Sequence, residues 1–236
     1  MSEFDTSVAR AAIFSRIRAH QKRGPAITAD ERKAVADYLQ QHPVGPQPAF
    51  ASAVGADLKL RFRAMSERMA STVDEVPGWA DAPAAVARYL EAQQLGRSAV
   101  IWPSLAHLDW AGAGLAVEAR PPRRDESKGA DPVGITGCFC ALAETGTLVL
   151  LSSPESPAST HLLPATHIAL VPASRIVATM EDAFALMRRE RGGADAMMPR
   201  AVNMVSGPSR TADIEQTVVL GAHGPFRVHL VVLGGA

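Results

Sequence analysis

Residues 133–153, VGITGCFCALAETGTLVLLSS, determine the fold that we predict for this chain, because two apolar runs flank a short polar segment. The apolar runs are Phe139–Ala143 and Leu148–Leu151, and the polar segment is ETGT at 144–147. Gly146 can adopt a positive φ without a Cβ clash, which suits a tight reversal. The pattern therefore predicts two strands joined by a turn, with ETGT at the tip.

The carboxylate of Glu144 is the first candidate functional group. A side chain on a turn between two buried strands is held firmly at the edge of a core, where functional groups are often found. The alternative interpretation is a solvated turn residue without a function.

The composition is that of a soluble globular protein, with 236 residues, 47% hydrophobic positions and 20% charged positions. Lysine plus arginine and aspartate plus glutamate number 24 each, so the charge gives no indication of nucleic-acid binding or of an anionic membrane surface. Small anionic substrates stay open, because local charge decides their binding. No apolar run approaches 18 residues and the N-terminus lacks an apolar leader, so we expect no membrane span and a cytoplasmic protein.

The two cysteines, Cys138 and Cys140, are predicted to be buried apolar residues. Two residues apart on a strand, they are too distant for a comfortable disulfide, and two thiols are too few for an iron–sulfur cluster. Motifs for zinc binding and the glycine-rich nucleotide fingerprints do not occur in the sequence. We therefore expect no metal and no cofactor on this chain.

The first 50 residues form a predicted N-terminal helical extension with a proline-rich linker, and residues 51–236 form the main domain. One helix is predicted over residues 5–22. A second begins at the capping box Thr28–Glu31 and runs to about Gln41, with Val35 and Leu39 directed inward.

The main domain begins with a strand–helix–strand pattern, which is typical of a parallel sheet covered by helices. The strands are Ser71–Val76 and Ser98–Trp102, and the helix between them is predicted to have Asp81 as its N-cap and Gly96 at the C′ position just past its end. Further predicted elements are helices over 57–71 and 180–191 and strands over 167–171 and 227–233.

Two polar segments follow the strand Ser98–Trp102. His107 and Asp109 lie just past its carboxyl end, where open α/β sheets bind ligands, although a turn around a packed Trp110 is the alternative. Segment 120–132 is charged and aperiodic, which predicts a surface loop that could serve as a lid.

The sequence AVNMVSGPSRTADIE at 201–215 is predicted to form a strand, a loop and a helix capped by Ser209 or Thr211. The free N–H groups of that helix, with Arg210 beside them, would bind an anion. Junctions of this type are common, and the alternative is that this one holds no ligand.

Three stretches resemble the LUD-domain family, in particular its lactate utilisation protein C (LutC/YkgG type) branch. They are GITGCFCALAETGTLVLL, HLLPATHIALVPASRIV and SGPSRTADIEQTVVLGAHGP, and the resemblance covers about residues 55–234. It implies an α/β fold like that of NagB, RpiA and CoA-transferase proteins. It also implies a part in oxidising L-lactate to pyruvate, together with two iron–sulfur partner proteins that hold the clusters.

Two functions stay open at this point. The chain could be a subunit of a lactate-oxidising complex that supplies an anion-binding pocket or an assembly surface. Alternatively, it could be a self-sufficient enzyme of the CoA-transferase or sugar-phosphate isomerase type, with Glu144 as nucleophile or base and the loop 206–211 binding phosphate.

We predict that the ETGT turn and the SGPSRT loop face one another across a cleft at the carboxyl ends of the strands. The candidate residues for a carboxylate or phosphate anion are Thr145, Gly146, Thr147, Ser206, Gly207, Ser209, Arg210 and Thr211. Further pocket candidates are His107, Asp109, Asp213 and Glu215.

Overall fold

The chain divides into two units, Met1–Pro46 and Gln47–Ala236. The computed structural model describes residues 5–24, 26–46, 57–123, 130–191, 199–214 and 217–235, with the backbone only at 212–214 and 217–218.

The N-terminal unit contains helices α1 (Ser7–His20) and α2 (Ala29–Gln41). The predicted capping box is confirmed, because the Thr28 side chain accepts from the Glu31 backbone N–H and the Glu31 side chain accepts from the Thr28 N–H. The prediction that Val35 and Leu39 face inward is wrong. They are 54% and 63% exposed, because no described residue of the N-terminal unit covers that face of α2.

Six parallel strands form the main sheet of the second unit, in the order β1-β12-β7-β4-β2-β3. Their bounds are β1 Thr72–Val76, β2 Ser98–Ile101, β3 Ala116–Glu118, β4 Val133–Thr136, β7 Thr166–Pro172 and β12 Arg227–Leu233. Helices α3 (Leu58–Arg68), α4 (Ala82–Ala92) and α5 (Ser159–Leu162) pack on this sheet. The predicted α/β fold, a parallel sheet flanked by helices, is confirmed.

Helix α4 ends earlier than predicted. Gln94 takes the left-handed conformation with φ 55°, and the Leu95 N–H donates to the Leu90 carbonyl at 2.8 Å. This is the closing bond of a Schellman motif, so Gln94 occupies the position that we assigned to Gly96. At the other end, Asp81 is the N-cap residue but makes no capping hydrogen bond through its side chain.

A second sheet of four strands, ordered β8-β5-β6-β9, continues from the carboxyl ends of β4 and β7. Its strands are β5 Cys140–Leu142, β6 Thr147–Leu151, β8 Ile176–Val177 and β9 Val202–Val205. Strands β5 and β6 are antiparallel, so the predicted hairpin is confirmed.

Both faces of the β5–β6 hairpin are buried, which explains its uninterrupted apolar runs. Alternate residues such as Ala141 and Leu148 join the main core. Their neighbours, such as Leu142 and Val149, pack against Leu186 of helix α6 (Met180–Glu190).

The helix predicted after Ser209 is wrong, because residues Arg210–Ile214 form strand β10. It pairs antiparallel with β11, Thr217–Leu220. The two runs are rich in β-branched threonine, isoleucine and valine, which favour a pleated pair over a helix. Without a helix N-terminus, the predicted cap by Ser209 or Thr211 is also wrong, and anion binding by the loop 206–211 loses the free helix N–H groups on which that prediction was based.

Residues 124–129 of the charged segment 120–132 lie outside the described residues, and the two described ends of the segment are joined by hydrogen bonds. The Arg120 guanidinium donates to both carboxylate oxygens of Asp131 at 2.9 Å, and the Arg123 N–H donates to the same carboxylate. Hydrogen bonds from Arg120 hold the pKa of Asp131 below its ordinary value.

Among the described residues, no helix is both long enough and apolar enough to cross a membrane.

Candidate functional site

The tip of the β5–β6 hairpin packs directly against helix α3. Gly146 has φ 65°, and a Cβ atom there would lie 2.4 Å from the backbone nitrogen of Ser66. The Ser66 hydroxyl lies 3.4 Å from the Gly146 carbonyl oxygen and donates to it. Only glycine fits both the conformation and the space, so the ETGT turn is fixed in position by α3.

Gly207 approaches the end of the same helix. It has φ 75°, and a Cβ atom would lie 2.0 Å from the Met69 carbonyl oxygen. Helix α3 therefore supports both of the turns that the sequence singled out.

Three hydroxyl groups connect the two turns. The Oγ1 atoms of Thr145 and Thr147 are 2.7 Å apart, and Thr147 Oγ1 is 2.6 Å from the Ser206 Oγ. We refer to Thr145, Thr147 and Ser206 as the hydroxyl chain. The structure thus brings the start of the SGPSRT loop against the ETGT turn, where the contact is a direct hydrogen bond rather than a cleft.

Glu144 is not a solvated turn residue, because it is only 8% exposed. Its Oε1 accepts a hydrogen bond from the backbone N–H of Met180, the first residue of α6, at 3.0 Å. The N-terminus of a helix favours a negative charge at this place. The carboxylate therefore caps α6, beside the capping box formed by Thr179 and Asp182.

The second half of the SGPSRT loop has different neighbours. The Ser209 N–H donates to the Pro225 carbonyl, and the Ser209 carbonyl accepts from the Gly221 N–H. Arg210 is exposed and pairs across the hairpin with Leu220. Thr211 is on β10 as well. The Asp213 side chain and the whole of Glu215 lie outside the described residues.

His107 and Asp109 make local contacts after β2. His107 Nδ1 is 2.9 Å from the Ser104 carbonyl oxygen, and Asp109 accepts from the Gly112 N–H at 2.8 Å. Trp110 is buried and its indole N–H donates to the Leu105 carbonyl. The alternative interpretation, a turn around a packed tryptophan, describes this segment.

A buried polar group beneath α5 had no signal in the sequence. His167 Nε2 is 2.8 Å from Thr136 Oγ1, and the His161 and His167 rings are 5.8 Å apart between centroids. Burial lowers the pKa of His161 to about 4 and that of His167 to about 3, so both rings are neutral at pH 7. The two histidine rings lie close together because α5 packs tightly on β4 at Gly134. A Cβ atom at that position would lie 2.0 Å from the Thr160 carbonyl oxygen.

A third buried histidine, His229, joins β12 to its neighbours. Its Nδ1 is 2.8 Å from Thr72 Oγ1, and its ring stacks on Tyr89 with 3.8 Å between centroids. Burial lowers its pKa to about 4. These contacts agree with the structural role that its position on a strand suggests.

Both cysteines are free thiols, Cys140 fully buried and Cys138 partly exposed. Burial raises the pKa of Cys138 to about 12 and that of Cys140 to about 11, so both are protonated at neutral pH. Within the described ranges, no three side chains of the histidine, cysteine, aspartate and glutamate types are grouped as a metal site requires.

Comparison with known proteins gives a family and several relatives. The model of the LUD domain matches residues 60–233. Proteins named lactate utilization protein C are 36% identical over 132 residues in Bacillus licheniformis and 39% identical over 134 residues in Bacillus subtilis. These alignments cover 56% and 55% of this chain and 53% and 55% of the relatives, so the chain spans about half the length of the curated relatives it matches.

A solved structure shares the fold. The crystal structure of a DUF162 family protein from Deinococcus radiodurans has a TM-score of 0.51 and 24% sequence identity to this chain. The match covers 75% of this chain and 97% of that one.

Proposed function

Because this chain belongs to the LUD domain family, we propose that it acts in lactate utilisation. The observation that carries the proposal is its identity of 36% and 39% to two proteins named lactate utilization protein C. The family stretches identified in the sequence include the ETGT turn and the Ser206–Gly207 segment, both of which pack against α3.

The finer proposal is that the chain is a subunit of a system that oxidises L-lactate to pyruvate. That oxidation releases two electrons, which iron–sulfur clusters in partner proteins would accept, and two protons, which would pass to a base or to water. A cluster normally has four thiolate ligands and this chain has two cysteines, so the division of labour suits this chain. We therefore assign the electron transfer to the partners.

The geometry favours an assembly role for this subunit over an anion site on the loop 206–211. Strands β10 and β11 pair only with each other in the described part of the chain, and an isolated two-stranded hairpin is marginally stable in water. Leu220 and Phe226 beside this hairpin are each 44% exposed. A partner that covers these side chains would stabilise the hairpin and remove apolar surface from water.

The alternative of a self-sufficient enzyme receives no support from Glu144. Its carboxylate is engaged by the N-terminus of α6 and almost fully buried, whereas a nucleophile needs access to substrate.

Growth on L-lactate and co-purification with cysteine-rich iron–sulfur partners test the proposal together. The chain should restore growth to a strain that lacks its own lactate utilization protein C, and tagged chain should retain the partners. Leu220→Glu should abolish both, whereas Leu60→Glu, at a 60% exposed apolar position on α3, should leave both intact. Retention of partners and growth by Leu220→Glu would refute the assembly surface, and failure of the unmodified chain would refute the proposed function.

A further inference from the structure

A cleft of about 250 Å³ lies at the carboxyl ends of strands β2 and β4 of the main sheet. Trp102 and Ser104, which follow β2, line one side of it, and Cys138 and Phe139, which follow β4, line another. The third side consists of side chains from segment 151–156, which begins with the last residue of β6. None of these residues belongs to the hydroxyl chain.

The cleft lies at the point where the connections of the parallel sheet change direction. From β2 the chain continues to β3 at the outer edge, whereas from β4 it continues toward β7 on the other side. Strands β2 and β4 are neighbours, so their carboxyl ends diverge and leave a crevice between them. Open α/β sheets bind ligands in this crevice, and the cleft occupies it.

Hydrogen bonds between side chains and backbone carbonyl groups hold the walls of the cleft in place. The Trp102 indole N–H donates to the Pro157 carbonyl at 3.2 Å, and the Arg175 Nε–H donates to the Phe139 carbonyl at 2.7 Å. The Ser156 hydroxyl donates to the Leu151 carbonyl at 2.7 Å. The cleft is therefore formed before any ligand enters, which lowers the entropic cost of binding.

The chemistry of the lining excludes a good fit for anions. Among the described residues that line the cleft, Glu155 is the charged one, and the nearby Arg175 is paired with Glu190. A lactate carboxylate or a phosphate would meet a like charge without a compensating cation. Neutral ligands avoid this cost.

The other lining groups suit a ring that carries hydroxyl groups. Phe139, which is half-buried, provides aromatic surface against which a flat ring packs well, and Trp102, which is only 5% exposed, forms a small part of the same wall. The Glu155 carboxylate is an acceptor for two neighbouring hydroxyls, in the way that acidic residues bind ribose at the same place in dinucleotide-binding sheets. The hydroxyls of Ser104 and Ser153 offer further hydrogen bonds.

We propose that this cleft binds an uncharged ring compound with neighbouring hydroxyl groups, either a nucleoside or a monosaccharide. The site is separate from the ETGT turn. Strand β6 runs from Thr147 at the turn to Leu151 at the cleft, and four residues of strand span about 13 Å. It is also independent of the lactate proposal, because its lining disfavours lactate.

Nuclear magnetic resonance of the full chain labelled with ¹⁵N-tryptophan tests the proposal. The chain has three tryptophans, and Trp102→Phe identifies the Trp102 indole signal. Adenosine and D-glucose are titrated separately to about 10 mM, a range that detects millimolar dissociation constants. We expect saturable movement of the Trp102 signal with one of them, while the signal of buried Trp110 stays in place. Which of the two acts decides between nucleoside and monosaccharide.

Two variants sharpen the test. Glu155→Gln should weaken binding of the active compound about tenfold, since hydrogen bonds to a charged acceptor are lost. Glu91→Gln changes an exposed carboxylate on α4 and should leave the dissociation constant unchanged. The proposal is overturned if neither compound moves the Trp102 signal, if L-lactate binds there more tightly than both, or if Glu155→Gln binds as well as the unmodified chain.

Discussion

Gly146 and Gly207 are the residues at which the two conspicuous turns meet helix α3. Both have positive φ, and a Cβ atom at either would overlap backbone atoms of that helix. The requirement for glycine therefore comes from close packing of a distant helix as well as from the turn itself. The sequence predicted the turn conformation of Gly146 but not the helix that it touches.

Gly146→Ala should lower the free energy of unfolding by about 2–4 kcal/mol, since a left-handed alanine and an overpacked contact with Ser66 add their costs. Gly96→Ala is the matched control, because no heavy atom lies within 4 Å of its Cβ position and its φ is not positive. Urea unfolding of the two variants measures both values. Equal effects would contradict the proposed contact with α3.

Glu144 separates a structural role from a catalytic one. Glu144→Ala removes the acceptor for the Met180 N–H and should cost about 0.5–2 kcal/mol of stability, as loss of a helix cap does. Glu144→Gln keeps an acceptor of the same shape, so most stability and growth on L-lactate should persist. Complete loss of growth in a stably folded Glu144→Gln variant would instead identify Glu144 as the nucleophile or base.

Among the elements, the β5–β6 hairpin was predictable and the β10–β11 hairpin was not. The first has two unbroken apolar runs around a glycine turn, a local pattern with one good solution. In the second, Ser209 and Thr211 fit a helix cap as well as a strand, and local signals cannot choose between them. Pairing of Thr211 with Val219 decides the outcome.

The candidate site was also predictable only in part. The hydroxyl chain could be expected from two polar turns at strand ends, and the structure brings Thr147 and Ser206 into contact. The cleft between the carboxyl ends of β2 and β4 could not be predicted, because it depends on the order of strands in the sheet, and that order arises from contacts between distant segments.

The Arg120–Asp131 pair should control hydrogen exchange at the described ends of segment 120–132. These ends carry no regular structure, so the amide hydrogens of Arg123, Ala130 and Asp131 should exchange faster than those of β2. Asp131→Asn removes the charged acceptor of Arg120 and should accelerate this exchange further, whereas β2 should not change. Hydrogen exchange measured by mass spectrometry checks both expectations, and protection of these amides equal to that of β2 would contradict the prediction.

For the whole molecule, the buried histidines predict a loss of stability in acid. Burial lowers the pKa of His161 and His229 to about 4 and that of His167 to about 3. In the unfolded chain a histidine has a pKa of about 6.5, so between these values the unfolded state binds more protons than the native state. The free energy of unfolding should therefore fall as the pH is lowered from about 6.5 toward 4.

Each histidine contributes up to about 1.4 kcal/mol per pH unit to that slope. Urea titrations at several pH values measure it, and His167→Gln should reduce the slope by one histidine's share. His107→Gln, at an exposed position, should leave the slope unchanged. A slope that is the same in all three proteins would contradict the neutral, buried state of His167.

We propose that this chain serves lactate oxidation as a subunit whose partners carry the electrons. The most direct measurement is pyruvate formation from L-lactate with an artificial electron acceptor, for the purified chain, for the iron–sulfur partners and for the reconstituted mixture. We predict turnover in the mixture only. Oxidation of lactate by the isolated chain at the rate of the mixture, or by the partners at that rate without the chain, would contradict the claim.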